Sequence, residues 1–231
     1  MKKIGLVGGT GPESTIMYYK ELNAAIDQLS HGKEMPELSI ESVNFRKIWR
    51  LIEAGEKESL CDYLTEKIHH LVDCGAQIIS LTACTTHIVY EEVANRTGVS
   101  LVSIPKAVRD EILAKGYKRV GLLGTIFTME QDFMKKDLVQ AGIEVFVPEK
   151  EDRELIAKRI YEELEVGVVK ESTLREFVEI INEMKQDHAI EAIILGCTEL
   201  PLILNNNNCT LPCLDSVQIH IKRLIKLAME E

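Results

Sequence analysis

Ile4-Gly5-Leu6-Val7-Gly8-Gly9 is a short aliphatic run stopped by glycines, and apolar groups then recur at helical spacing from Ser14 to Ile26. A strand, a turn and a helix in that order make a βα unit. The pattern continues. Leu38 to Val43 alternates as a second strand, Leu60, Leu64, Ile68 and Leu71 mark a helix between Ser59 and Val72, and Ala76 to Leu81 is an apolar strand ending in small polar residues. Leu101-Val102-Ser103-Ile104 reads as a further strand that Pro105 ends. Strands alternating with helices predict parallel sheets covered by helices on both faces.

The second half begins again in the same way. Arg119-Val120-Gly121-Leu122-Leu123-Gly124-Thr125 is a strand stopped by a glycine, and a helix rich in Met, Phe and Leu follows. Glu144 to Val147 predicts a short strand, Arg153 to Leu164 and Ser172 to Met184 predict amphipathic helices, and Ile190 to Leu195 is a strand running into Gly196-Cys197-Thr198-Glu199. Gly5 and Cys84 stand 79 positions apart and Gly121 and Cys197 stand 76 apart, so the halves read as one unit repeated. The expectation is an α/β fold of two similar parallel-sheet domains related by a pseudo-twofold axis, with the active site in the cleft between them. Its boundaries are 1–104 plus 209–231 for the first domain and 105–208 for the second. Asn205 to Asn208 marks a turn, and Leu211 to Asp215 leads into a closing helix that returns to the first half.

With 27 Lys and Arg against 37 Asp and Glu, the net charge is −10, and the basic surface that a phosphate backbone requires is missing. Nucleic acid is therefore not an expected partner. No apolar run approaches the roughly 18 residues of a membrane span, and the stretch after Lys2-Lys3 is too short for an export signal, so neither membrane nor secretion is expected. Six cysteines scattered through such a chain read as reduced thiols, which places the protein in the cytoplasm.

Ligands of open α/β sheets sit beyond the carboxyl ends of the strands. Three loops qualify: Gly8-Gly9-Thr10-Gly11-Pro12, Ala83-Cys84-Thr85-Thr86-His87 and Gly196-Cys197-Thr198-Glu199. The first lacks the spacing of a dinucleotide fingerprint and the Lys of a phosphate loop, and reads instead as a cradle for a small carboxylate around Gly9 and Thr10. The other two each bring a thiol, Cys84 and Cys197, to a strand end. Opposed thiols suit inversion at carbon, one thiolate removing a proton while the other thiol delivers one, with no organic cofactor. Cys61 and Cys74 read as packing groups, and so do Cys209 and Cys213. No metal is expected, because no second ligand pair completes a tetrahedral set around Cys84 and His87 or around Cys209 and Cys213. His69, His70, His188 and His220 read as surface or packing groups.

These pieces resemble the aspartate/glutamate racemase family over essentially the whole chain. The resemblance rests on Ile4 to Thr10 with Glu13-Ser14-Thr15 and Tyr18-Tyr19, on Ala83 to His87, on Gly196 to Glu199, and on Leu211-Pro212 with Asp215. It implies a racemase of small amino acids, aspartate or glutamate foremost, working without pyridoxal phosphate or any other cofactor, often as a homodimer. Cys197, with its neighbour Glu199 as helper, and Cys84 are then the catalytic residues. Ala83, Thr85, Thr86 and Thr198 bind the α-carboxylate and ammonium, and Arg46 meets the distal carboxylate. The first motif departs from the family's Cys-Asn-Thr-x-His: Ala83 occupies the cysteine position and Cys84 lies one place further on. Three arrangements stay open: Cys84 acts as the first acid/base, Cys197 works with a Thr or water opposite, or the site has lost catalysis. A Lys of some relatives falls near Glu165, where a carboxylate would repel aspartate. A single-thiol decarboxylase or isomerase of a dicarboxylate and a small-acid binding protein are the competing readings.

Overall fold

The computed structural model describes residues 1–230. Strand β1 (Ile4–Gly8) is buried at every position, inside a sheet of four parallel strands. A strand covered on both faces has no solvent side, so its residues are apolar or small in succession rather than in alternation. After it come α1 (Pro12–Leu29), β2 (Leu38–Ser42), α2 (Phe45–Glu53), α3 (Lys57–Asp73), β3 (Ile78–Leu81), α4 (Tyr90–Thr97), β4 (Leu101–Val102) and α5 (Ile104–Lys115). The sheet order is β2-β1-β3-β4, with Ile4 opposite both Leu38 and Ile78.

A second four-stranded parallel sheet has the equivalent order, β6-β5-β7-β8. Its elements are β5 (Arg119–Leu123), α6 (Ile126–Glu130), α7 (Lys136–Gln140), β6 (Glu144–Phe146), α8 (Lys150–Glu162), α9 (Glu171–His188), β7 (Ala192–Leu195), β8 (Cys213–Asp215) and α10 (Ser216–Met229). The chain divides into two compact units, Met1–Ile104 with the segment from His220 onward, and Pro105–Ile219.

The sequence expectation returned the chain to the first half at 209. The structure differs, because Cys213 pairs with Ile193 and Asp215 with Leu195, so β8 completes the second sheet and the second unit keeps the chain through Ile219. Pro105 also has a different place. β4 stops at Val102, and Pro105 sits in the first turn of α5, where a missing N–H costs no hydrogen bond. The helix expected after β5 is broken in two: Gln131 is extended at φ −80° and ψ 162°, and Lys135 Nζ covers the carbonyls of Met129 and Glu130 at 3.0 and 3.2 Å.

In the first unit α1, α3 and the sheet enclose Tyr18, Leu22, Ile26, Leu64, Ile68 and Ile79, all fully buried. His220 of α10 is buried among them. Ser80 Oγ donates to the Val102 carbonyl at 2.8 Å, so it accepts from His220 Nε2 at 3.0 Å, and His220 Nδ1 in turn accepts from the Tyr18 hydroxyl at 2.6 Å. The imidazole is neutral there, its pKa pushed down to about 3 chiefly by burial. Leu123, Ile156, Phe177, Ile181, Ile193 and Leu200 fill the core of the second unit.

Candidate active site

Parallel strands end on a common edge, so the residues following β1, β2 and β3 gather on one side of the first unit. The β1 turn is locked locally. Gly9 N–H donates to Thr15 Oγ1 at 2.8 Å, and Val43 N–H donates to the Gly8 carbonyl at 2.8 Å. Gly9 has φ +90°, and a side chain there would reach within 2.7 Å of the Val43 carbonyl oxygen, so only glycine lets the turn lie against the end of β2. Thr10 is half-buried beside it. Asn44 caps α2 by accepting from Lys47 N–H at 3.1 Å, which sets Arg46 on the first helical turn, exposed and without an ion pair among the described residues.

Past β3, the segment from Thr82 to His87 folds on itself. Thr82 N–H donates to the Val7 carbonyl at 3.1 Å, and Ser14 Oγ ties α1 to the Thr82 carbonyl at 3.0 Å. Ala83 and Cys84 are largely buried, and Thr85 to Val89 form a short, tightly wound helical turn. His87 fixes the start of that turn. Its Nε2 accepts from Ile104 N–H at 3.1 Å, so Nδ1 carries the proton and donates to the Ala83 carbonyl at 3.0 Å. The ring lies flat on Tyr90 at 5.3 Å. Thr86 Oγ1 donates to the same Ala83 carbonyl at 2.8 Å and is buried, so its hydroxyl serves the loop itself, whereas Thr85 stays partly accessible.

In the second unit the loop after β7 brings a thiol, a hydroxyl and a carboxylate together in sequence. Gly196 N–H donates to the Leu123 carbonyl at 2.8 Å, and an added Cβ there would stand 2.9 Å from that carbonyl oxygen, so glycine allows β5 and β7 to close together at their ends. The chain then presents Cys197, Thr198 and Glu199 half-buried in succession. Cys197 Sγ donates to Glu199 Oε2 at 2.7 Å. A thiol bonded to a carboxylate has a proton acceptor already in place. Ser216 Oγ holds the Leu195 carbonyl at 2.7 Å, and Asp215 Oδ1 accepts from Val217 and Gln218 N–H at 2.9 and 3.1 Å, capping the start of α10. Glu165 follows α8, in the turn Leu164–Val166; loss of water around its carboxyl, and then the charge of Glu199, raise its pKa. Neighbouring Glu163 is held the other way, its carboxyl kept low chiefly by the hydrogen bond from Thr173 at 2.6 Å.

The predicted residues thus fall into two groups. Gly9, Thr10, Arg46, Ala83, Cys84, Thr85 and Thr86 belong to the strand-end edge of the first unit, and Cys197, Thr198 and Glu199 to the loop after β7 in the second. Sequence reasoning missed Ser14 and Ser216 as ties beneath these loops. Their signal was a serine in the first turn of a helix that follows a strand end.

Two α/β units of equivalent strand order, with small-residue loops after their central strands, define a duplicated α/β protein. The chain belongs to the Asp/Glu/Hydantoin racemase family, which matches residues 7–224. It is 32% identical to a candidate Asp/Glu racemase of Yersinia pestis, with a TM-score of 0.95 and all of both chains covered. An aspartate racemase homologue of Pyrococcus horikoshii OT3 is 39% identical, with a TM-score of 0.88 and again full coverage of both chains. The aspartate racemase of Picrophilus torridus shares the fold at 23% identity and a TM-score of 0.77, over 99% of this chain and 95% of that one. Among the described residues no helix is long and apolar enough to cross a membrane.

Proposed function

We propose that this protein racemises a small amino acid, aspartate or glutamate foremost, without an organic cofactor, by moving the α-proton through Cys197. The carrying observation is the 2.7 Å hydrogen bond from Cys197 Sγ to Glu199 Oε2, on a half-buried loop at the carboxyl end of β7. Glu199 takes the thiol proton, the thiolate takes the α-proton from one face, and a proton delivered to the opposite face of the carbanion completes the inversion. Cys84 is the second acid/base on this reading. Gly9, Thr10, Ala83, Thr85 and Thr198 bind the α-carboxylate and ammonium, and Arg46 neutralises a distal carboxylate. The working form is a homodimer, which sedimentation velocity checks directly by its mass.

Incubation with single L-amino acids in heavy water tests the reaction. Deuterium appearing at the α-carbon together with the D-enantiomer is the expected result, first with aspartate and glutamate. No exchange with any amino acid overturns it; carbon dioxide evolved from a substituted malonate would make the protein a decarboxylase, and saturable binding alone a binding protein. Cys197→Ser is expected to slow exchange by about 10²- to 10⁴-fold, the usual worth of a positioned acid/base. Glu199→Gln keeps a hydrogen-bond acceptor but no proton acceptor, so kcat is expected to fall about 10²-fold while KM changes by less than about threefold.

A further inference from the structure

Strand register sets the loops after β3 and β7 in correspondence. Val7 of β1 pairs with Leu81 of β3, and Leu123 of β5 pairs with Leu195 of β7. Each loop then leaves its strand by the same bond: Thr82 N–H donates to the Val7 carbonyl at 3.1 Å, and Gly196 N–H to the Leu123 carbonyl at 2.8 Å. The next residue is Ala83 in the first unit and Cys197 in the second, so a methyl stands where the other loop has its thiol. Cys84 answers to Thr198, and Thr85 to Glu199. The first loop cannot slide by one residue to bring Cys84 into the Ala83 position. The Thr86 hydroxyl and His87 Nδ1 both fasten the Ala83 carbonyl, at 2.8 and 3.0 Å, and Ile104 N–H holds the other ring nitrogen. Cys84 is also the more enclosed thiol, 8% exposed at the foot of the tight turn, whereas Cys197 is half-buried.

On the racemase reading, on which this step rests, we propose that Ala83 makes proton transfer one-sided: Cys197 exchanges the α-hydrogen of one enantiomer with solvent many times for each inversion. The Cys197 thiolate takes that hydrogen, the C–H bond breaks, an S–H bond forms and the electron pair stays on carbon. Glu199 is half-buried and bonded to the thiol, so the hydrogen it holds is replaced from solvent. In heavy water a deuteron passes from Glu199 through Cys197 back to the same face, and the configuration is kept. Inversion needs delivery to the opposite face, which that reading assigns to the first unit's loop. There the positions matching the thiol and its carboxylate hold a methyl and a hydroxyl, and neither trades protons with carbon near neutral pH. Cys84, one place further on, completes inversion at a slower rate. A positioned acid/base is worth about 10²- to 10⁴-fold, so a displaced one lags by about tenfold or more.

The test incubates the full chain in heavy water with L-aspartate and, separately, D-aspartate, following α-deuterium by mass and configuration by chiral chromatography. Both forms of glutamate repeat the measurement. One enantiomer is expected to gain deuterium with its configuration kept about tenfold or more faster than it inverts. The other is expected to gain deuterium and invert at the same rate, because its hydrogen leaves on the slow face and its deuteron arrives from Cys197. Ala83→Cys should speed inversion of the first enantiomer and bring its exchange-to-inversion ratio toward one. Thermal melts check that this variant folds, and the two-enantiomer comparison stands on the unaltered chain if it does not. Exchange equal to inversion from both enantiomers keeps the racemase reading and overturns the one-sided transfer. A folded Ala83→Cys variant with an unchanged ratio overturns it as well. No exchange from any of the four substrates removes the racemase reading and this step together.

Discussion

His220 shows at the scale of one residue how burial turns a titratable group into a structural one. Its two ring nitrogens join the Tyr18 hydroxyl to the Ser80 hydroxyl, and the ring is fully buried. An unfolded histidine titrates near 6.5, whereas folded His220 does so at about 3. As pH falls from about 6.5 toward 3, the unfolded chain binds a proton that the folded one refuses, so this residue's contribution is complete above about 6.5. It is then lost at about 1.4 kcal/mol per pH unit on acidification. His220→Gln has no such titration. It should lose about 1–3 kcal/mol at pH 7.5, because the buried hydroxyls of Tyr18 and Ser80 are imperfectly paired, and its stability should fall less steeply in acid. Urea midpoints at pH 7.5 and pH 5 check this; parallel slopes for both proteins would remove His220 from the acid response. The sequence shows a histidine on a helix and nothing more. Its partners lie 202 and 140 positions away, and only the folded chain brings them together.

At the scale of elements, the turn after β1 separates the two demands made on a glycine. Gly9 has φ +90° and a Cβ site 2.7 Å from the Val43 carbonyl oxygen, whereas Gly55, between α2 and α3, has φ +69° and nothing within 4 Å of its Cβ site. Gly55→Ala should cost about 1–2 kcal/mol for the left-handed backbone alone. Gly9→Ala should cost about 1–3 kcal/mol beyond that, because the turn must move away from β2. Thermal melts of the two variants make the comparison, and equal losses would show that the clash relaxes freely. β1, β3, β5 and β7 were legible because strands buried on both faces need unbroken apolar runs, and the loops after them followed from the parallel order. β2, β4 and β6 also stand close to their expected spans. β8 was read only as the lead into the closing helix, because its pairing with β7 rather than an apolar run defines it. α2 was missed although its signal was present: Asn44 caps it, and Ile48 and Ile52, one turn apart, form its buried side. That cap is what places Arg46 on a helix. The slip from Ala83 to Cys84 was visible too, but the His87 bond to the Ala83 carbonyl goes with a tertiary contact, the bond from Ile104 N–H to the other ring nitrogen.

For the whole molecule, the unequal continuity of the two units decides what a truncation does. The second unit is one uninterrupted stretch, Pro105–Ile219, with its own core cluster. The first unit is assembled from both ends of the sequence: Lys2 N–H donates to the Ala228 carbonyl at 2.9 Å, and His220, Ile221, Leu224, Ile225 and Ala228 are all buried. Burial of an aliphatic side chain is worth about 1.5–3 kcal/mol, so Ile221, Leu224 and Ile225 together supply about 4–9 kcal/mol before the His220 bonds are counted. Net domain stability is about 5–15 kcal/mol, so losing that much removes most or all of it. A chain ending at Ile219 should therefore lose amide-exchange protection in β1 and β3 while Ile193 and Ile194 of β7 stay protected. The opposite truncation is not available, because removing Pro105–Ile219 would also break the chain that carries His220 back. If β1 and β3 remain as protected in the shortened chain as in the full one, the C-terminal helix contributes little to the first unit, and its sheet must draw its stability from α1 and α3 alone.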